Sequence, residues 1–223
     1  MKKYIGIFIV LLGVGQLKAQ KLDTLLGRPI LKIAPLSLID PDNSLTVGVE
    51  LPLKGSPVAL QVELGYGRTA FNLWSGQRDT YPNRETWRAR IQVRYYFTQK
   101  TRRGTYLAVD YFFKQNTIRR WESVGQQCTN NGQCAFFEQQ KASLGRFVSA
   151  INLKIGWQWQ INRKLSLDVF TGIGIRGLNV RYISDSKNVQ NDDFRSPIFN
   201  IDRVGSYGPY PAINLGFYVG YLL

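Results

Sequence analysis

The chain has 223 residues, a formal net charge of +14, two cysteines and no histidine. The absence of histidine excludes chemistry that uses an imidazole as general base, including that of outer-membrane phospholipases, omptin-type proteases and most serine hydrolases. The sequence also lacks a glycine-rich phosphate loop, a nucleotide motif and an acidic calcium loop. We therefore expect no enzymatic activity and no cofactor.

The N-terminus has the pattern of a cleavable export signal. Lys2 and Lys3 precede an apolar run from Tyr4 to Val14, and Ala19 is the small residue that signal peptidase favours. We predict a signal peptide over residues 1–19 and a single domain over residues 20–223. The alternative is an N-terminal membrane helix, but the apolar run is shorter than the roughly 20 residues that a span needs.

Eight later segments alternate apolar and polar residues, as strands do when their two faces meet different environments. The clearest segment begins at Trp87, where aromatic and aliphatic residues alternate with Arg88, Arg90 and Arg94. The first segment is the weakest, because Pro35 has no amide hydrogen and predicts a bulge or break. The predicted strands cover residues 30–39, 44–51, 58–67, 87–98, 106–114, 151–160, 165–176 and 212–223.

The connections between these strands differ in length in a regular way. Short turns cover residues 40–43, 54–56, 99–104 and 162–164, whereas long loops cover residues 68–85, 115–146 and 184–208. If both termini lie in the periplasm, all three long loops are extracellular and every periplasmic turn is short, as in outer-membrane barrels. We therefore predict an all-β fold, an eight-stranded antiparallel transmembrane β-barrel with up-and-down topology.

The direction in which the apolar face points has two interpretations. A soluble barrel such as a lipocalin would place it inside, whereas an outer-membrane barrel places it against lipid. Glycines concentrate on the polar face and bulky aromatic residues on the other, which favours a polar lumen. Two aromatic rows then mark the membrane interfaces. The row near the periplasm contains Phe97, Trp157, Trp159 and Tyr221, and the outer row contains Tyr66, Trp87 and Phe113.

Charged residues on the polar face would meet inside the barrel. An eight-stranded barrel is just wide enough for side chains to fill it, so we expect these ions to pair across the lumen. One interpretation is a plug that fixes the strand register, and the other is a narrow path for small solutes, in which surplus arginine favours anions. The predicted network contains Glu50, Glu63, Arg88, Arg90, Arg94, Asp110, Lys114, Lys154, Asp168 and Arg176.

The two cysteines, Cys128 and Cys134, lie in the longest predicted loop. Because an exported chain passes through an oxidising compartment, we expect a disulfide between them. A structural zinc site would need more ligands than two cysteines. The basic loop residues could contact lipopolysaccharide phosphates or could simply be solvated. Nucleic acid is not an expected partner, because an exported barrel does not meet it.

Several segments resemble those of uncharacterised small outer-membrane barrels of Bacteroidota with an OmpA-like or OmpW-like architecture. The similar segments are residues 19–20, 32–38, 62–67 and 216–223. The last of these also resembles the C-terminal signal read by the barrel-assembly machinery, which would be a partner during biogenesis. Its residues are Gly216, Phe217, Val219, Tyr221 and Leu223, where Leu223 replaces the usual terminal phenylalanine.

The resemblance implies a fold and a location in the outer membrane of a Gram-negative bacterium, and it implies no activity. Three functional hypotheses remain. The first is a plugged barrel with a structural role, or one whose loops bind lipopolysaccharide or an envelope protein. The second is a narrow channel or transporter for small, anionic or apolar solutes. The third is a lipid-modifying enzyme that works without histidine.

Overall fold

The computed structural model describes residues 27–98, 103–127, 134–183 and 204–223. The predicted signal peptide, Cys128 and most of the last predicted loop lie outside these ranges. Within them, no helix is both long enough and apolar enough to cross a membrane.

Eight strands, each antiparallel to its neighbours, form a closed ring, because β1 pairs with β8 as well as with β2. The strands are β1 (Ile30–Ile33), β2 (Leu45–Pro52), β3 (Val58–Arg68), β4 (Arg84–Tyr96), β5 (Gly104–Gln126), β6 (Phe136–Gln160), β7 (Leu165–Tyr182) and β8 (Gly205–Leu222). Two short helices, α1 (Leu36–Ile39) and α2 (Ser75–Thr80), lie in connections. The prediction of an all-β fold with eight antiparallel strands is confirmed.

The ring has two different ends. We call the end where β1 begins and β8 finishes the terminal end, and the opposite end the loop end. Following paired residues around the ring from Leu31 on β1 leads to Pro211 on β8, whereas Leu31 itself pairs with Tyr221. This ten-residue stagger shows that the strands are tilted relative to the axis of the ring, as closure of a sheet requires.

The alternation of the sequence determines which residues face the interior. Leu64 is 65% exposed on the outer surface, and aliphatic residues on most other strands are exposed there too. By contrast, Glu50, Glu63, Asp110 and Asp168 are buried inside. The interior is therefore polar and the outer surface apolar, as predicted.

Glycine on the inner face makes room for large neighbouring side chains. A Cβ atom added at Gly156 would overlap the ring of Tyr106, and one added at Gly216 would lie 2.5 Å from Cζ of Phe170. Both rings pack across the narrow lumen, so these positions are intolerant of any side chain.

The predicted first strand is too long. β1 ends at Ile33, and the chain then turns through Pro35 into α1 instead of continuing as a strand to Ile39. Proline stabilises this change because its fixed φ and missing amide hydrogen suit the start of a helix. Residues 34–44 consequently leave the wall of the ring, and Asp42 from this segment reaches basic residues of three strands.

The predicted loop over residues 115–146 is also wrong. β5 and β6 remain paired from Lys114 and Val148 to Gln126 and Phe136, so most of this region is a long hairpin beyond the ring. The apolar–polar alternation weakens there because polar residues occur on both faces, although antiparallel backbone pairing continues. The last strand likewise begins at Gly205 rather than near Ala212.

Candidate functional site

Four fully buried ions cross the lumen near the terminal end and form what we call the terminal cluster: Lys32, Glu50, Arg94 and Asp168. Lys32 Nζ lies 2.5 Å from Glu50 Oε2 and 2.7 Å from Asp168 Oδ2. Arg94 Nη1 lies 2.5 Å from Asp168 Oδ2 and 3.2 Å from Glu50 Oε2. Two cations and two carboxylates therefore balance in a space from which water is excluded, as buried ions require.

Hydroxyl and amide groups complete the coordination of this cluster. Tyr96 donates a hydrogen bond to Glu50 Oε1 at 2.8 Å, and Tyr106 donates one to Asp168 Oδ1 at 2.7 Å. Lys32 also donates to Gln158 Oε1 at 2.7 Å. Since each carboxylate accepts bonds at both oxygens, the two acids of the cluster are satisfied, which makes burial of their charge tolerable.

A second group, the middle cluster, lies one layer further toward the loop end and contains Glu63, Arg90, Asp110 and Lys154. Arg90 Nη1 lies 3.2 Å from Glu63 Oε2, and Arg90 Nε lies 3.7 Å from Asp110 Oδ2. Lys154 forms an ion pair with Asp110. Tyr218 bridges this cluster by donating to Glu63 Oε1 at 2.7 Å and accepting from Arg90 at 2.9 Å. This cluster is also neutral.

Aromatic rings fill the remaining space around both clusters. Tyr96, Tyr106, Phe170 and Tyr218 are buried and in contact with one another. The guanidinium of Arg94 lies 4.4 Å from the ring centroid of Tyr106, within cation–π distance. The terminal half of the lumen is therefore closed by paired ions and stacked rings.

A third group, the loop-end cluster, forms around residues 34–44, which we call the inward-folded segment. It contains Asp40, Asp42, Arg84, Arg88, Lys114 and Arg146. Asp42 pairs with Arg84 at 3.1 Å, with Lys114 at 2.7 Å and with Arg146. Asp40 pairs with Arg88 at 2.8 Å. Unlike the other two clusters, it has four basic residues and only two carboxylates.

The same cluster perturbs the titration of Asp42, which lies outside the strands. Burial alone would raise the pKa of Asp42, but the charges of Lys114, Arg146 and Arg84 lower it well below its usual range. The pKa of Asp40 is also lowered, since Lys114 and Arg88 together outweigh the effect of burial. Both carboxylates therefore stay ionised at neutral pH.

A cavity of about 940 Å³ separates the loop-end cluster from the middle cluster. The prediction that side chains fill the whole lumen is therefore wrong for this half of the ring, because segment 34–44 covers the cavity without filling it. The ionic residues on its wall are Asp40, Asp42, Glu63, Arg88, Arg90, Lys114, Arg146 and Arg176. Five are basic and three acidic, so the cavity is positively charged.

The structure places the predicted network residues in three different situations. Seven lie in the terminal and middle clusters: Glu50, Glu63, Arg90, Arg94, Asp110, Lys154 and Asp168. Arg88 and Lys114 pair with acids of the 34–44 segment instead of strand acids. Arg176, which the sequence predicts to pair with a carboxylate, has no ion pair within the described parts of the chain and is exposed on the cavity wall.

Sequence reasoning missed five members of these clusters. Lys32 alternates with Leu31 and Ile33 and could have been recognised as inward-facing from that pattern. Asp42 had no comparable signal, because it looks like an ordinary turn residue and its partner Arg146 is 104 positions away. Arg84 and Arg146 lie in predicted loops that are strands in the structure, and Asp40 lies in a predicted turn.

The other predicted residues occupy the following places. Gly216, Phe217, Val219 and Tyr221 lie on β8, and Leu223 follows it. Cys134 lies just before β6, whereas Cys128 is outside the described residues, so the disulfide stays a prediction.

One known protein family matches this chain. A family described as proteins of unknown function, DUF3575, matches residues 36–196, which is most of the sequence. The chain belongs to the DUF3575 family. No curated protein and no solved structure matches it. In this DUF3575 protein the matched region runs from α1 through β7, so it includes residues 36–44 of the segment that leaves the wall and all of the loop-end cluster.

Proposed function

We propose that this DUF3575 protein is an integral outer-membrane β-barrel with a plugged lumen and a structural or envelope-binding role. The observation that carries the proposal is the inversion of polarity. Apolar side chains cover the outside of the ring while charged side chains are buried within it. Water would not stabilise such a surface, whereas the hydrocarbon core of a bilayer would.

The aromatic rows support a membrane of ordinary thickness. Trp87 on β4 and Phe97, which directly follows β4, lie ten positions apart, and both are exposed. At about 3.4 Å per residue and a tilt of about 40°, their separation along the axis is about 25 Å. Tyr66 contacts Trp87 at one end, with ring centroids 4.7 Å apart, and Trp157 stacks on Trp159 at the other. The spacing equals the height of the apolar band of outer-membrane barrels.

A pair of arginine substitutions tests this placement. Ile91 lies midway between the aromatic rows and is 49% exposed, whereas Trp121 is 70% exposed on the hairpin beyond them. Ile91→Arg should make insertion into vesicles less favourable by about 2–4 kcal/mol. Trp121→Arg is the matched control and should insert normally. Equal effects of the two substitutions would contradict a membrane location for the band.

The two neutral clusters support the plug. Conduction would require a continuous polar path, but the terminal half of the lumen is filled by paired ions and aromatic rings. We expect refolded protein in planar bilayers to show no single-channel conductance, with a known porin as the positive control. Discrete conductance steps from protein shown to be folded by heat-modifiable gel mobility would overturn the plug and favour the channel hypothesis.

The long β5–β6 hairpin supports an envelope-binding role. It extends beyond the outer aromatic row and exposes Trp121, Phe136 and Phe137, with Arg119 nearby on the same strand as Trp121. Exposed aromatic residues beside a basic residue suit an amphipathic, anionic partner such as lipopolysaccharide. Trp121→Ser with Phe137→Ser should weaken binding of purified lipopolysaccharide by the refolded protein. Unchanged binding would rule out this hairpin as the contact.

A further inference from the structure

The ring is closed by very few residues on one side. β1 has four residues, and they pair only with Val219 to Leu222 of β8. From Gly205 to Tyr218, β8 pairs with β7 along one edge, and no described strand covers its other edge. Pro209 and Pro211 lie on this stretch, where a missing amide hydrogen removes no ladder bond from a neighbour. The wall between β1 and β8 is therefore open toward the loop end.

The segment that would have covered this edge is held elsewhere. Residues 34–44 continue from β1, but they form hydrogen bonds with β2, with the β3–β4 connection and with side chains of β4, β5 and β6. Ala34 donates to Thr46 O at 3.1 Å, Trp74 Nε1 donates to Ile39 O at 2.7 Å, and Asn72 Nδ2 donates to Pro41 O at 2.8 Å. The opening consequently lies between α1 and β8.

The cavity extends through this opening. On β6 only alternate residues line it, as a closed wall requires, beginning at Arg146 and ending at Asn152. On β8, by contrast, every residue from Tyr210 to Tyr218 lines it, so residues of both faces are in contact with the same space. A cavity can touch both faces of a strand only by passing around its edge. The lumen is thus connected laterally to the outside of the ring.

The chemistry changes from the opening to the interior. The edge carries Ile213 and Leu215, which are 85% and 72% exposed, and Leu36 of α1 lies across from them on the cavity wall. Arg176, which pairs with Tyr210 and lies nearer the loop end than Ile213 and Leu215, offers on the cavity wall a guanidinium without a carboxylate among the described residues. An apolar mouth beside a cation that has no carboxylate partner in the described part of the chain is complementary to an amphiphile with an anionic head.

We propose that a long-chain fatty acid enters this cavity laterally from the bilayer, between α1 and β8, and that Arg176 binds its carboxylate. The inference rests on the membrane location proposed above. Arginine pairs with a carboxylate through two parallel, charge-assisted hydrogen bonds. The acyl chain lies along Leu36, Ile213 and Leu215 and extends toward the membrane.

The size and charge of the cavity select this class of lipid. About 940 Å³ is within the range of pockets that hold one small molecule and is too small for the several chains of lipopolysaccharide. The other basic residues of the wall each contact a carboxylate, so among the described residues only the guanidinium of Arg176 on this wall is without a carboxylate partner. Open strand edges in membranes occur only where they line a cavity or are covered, which agrees with an edge that borders a ligand site.

The binding experiment uses the protein in phosphatidylcholine nanodiscs with dansyl-undecanoic acid as the fluorescent probe. Oleate should displace the probe, and Arg176→Gln should weaken this displacement at least tenfold. Displacement by oleyl alcohol, which has no charge, should be the same in both proteins. Arg163→Gln, at the exposed β6–β7 turn, is the control and should behave as wild type. Stronger displacement by lysophosphatidylglycerol than by oleate, or no effect of Arg176→Gln, would overturn the assignment.

The lateral route is tested by a fatty acid that carries a diazirine in its chain. After illumination, labelled peptides should include residues 34–39 and 210–217. Labels confined to the outward faces of β3 to β6 would indicate general contact with lipid and would overturn the proposal, as would a β8–β8 dimer that blocks probe binding. Vesicle insertion is measured on the same preparation: inserted protein without binding refutes only this inference, whereas failure to insert refutes the membrane location.

Discussion

Replacing Asp168 with asparagine should be among the most destabilising single changes in the lumen. Asp168 is fully buried and accepts from Lys32 at 2.7 Å, from Arg94 at 2.5 Å and from Tyr106 at 2.7 Å. Asp168→Asn keeps the shape but leaves two buried cations with Glu50 as their sole carboxylate in the terminal cluster. Removing one partner of a buried ion pair costs about 3–5 kcal/mol, and we expect a loss of free energy of unfolding in that range.

A second substitution separates charge balance from shape. In Lys32→Met with Asp168→Asn, the cluster contains Arg94 and Glu50 and is neutral again. The double variant should therefore be less destabilised than the sum of the two single variants, with a coupling energy of about 1–3 kcal/mol. Asp79→Asn, an exposed acid on α2, is the control and should leave stability within about 0.5 kcal/mol of wild type.

The assay is urea unfolding of the refolded protein in vesicles, followed by tryptophan fluorescence and by gel mobility of unheated samples. Agreement of the two probes would allow a two-state free energy to be extracted. The reasoning is refuted if Asp168→Asn costs less than about 1 kcal/mol or if the double variant is simply additive. Either result would mean that water or a rearranged side chain compensates the charge that the structure shows as fully buried.

The loop-end cluster and the glycine contacts give two further predictions. Burial opposes ionisation of Asp42, yet Lys114 and its neighbours lower its pKa, so ionised Asp42 contributes stability above its unfolded pKa of about 3.9 and loses it as pH falls. The difference in unfolding free energy between wild type and Asp42→Asn should be constant from about pH 7 to 5 and shrink below about pH 4; a difference that grows on acidification would contradict this. Gly156→Ala should cost about 1–3 kcal/mol because the new methyl group overlaps Tyr106, whereas Gly76→Ala, where nothing lies within 4 Å, should not destabilise. Thermal melting of both variants in the same detergent checks the contrast.

The strand ends show where local pattern stops being informative. Alternation identified β2 and β3 to within one residue at each end and β4 to within three, because each of their positions faces either a polar lumen or an apolar surface. It failed for the outer parts of β5 and β6, where backbone pairing between the two strands continues although the pattern fades. Pro35 correctly marked a break, but the proline does not say that the following residues form α1 and fold inward.

The amino-acid sequence by itself determined the number of strands, their antiparallel order and the facing of most side chains, because a period of two is encoded locally by neighbouring residues. Only the tertiary structure decided which ions pair, since Asp42 and Arg146 or Lys32 and Asp168 are brought together by ring closure across more than 100 positions. It also decided that Arg176 has no carboxylate partner among the described residues and that the wall is open beside β8. These features depend on the point at which residues 34–44 leave the sheet. The contacts that stabilise this arrangement join residues that are distant in the sequence.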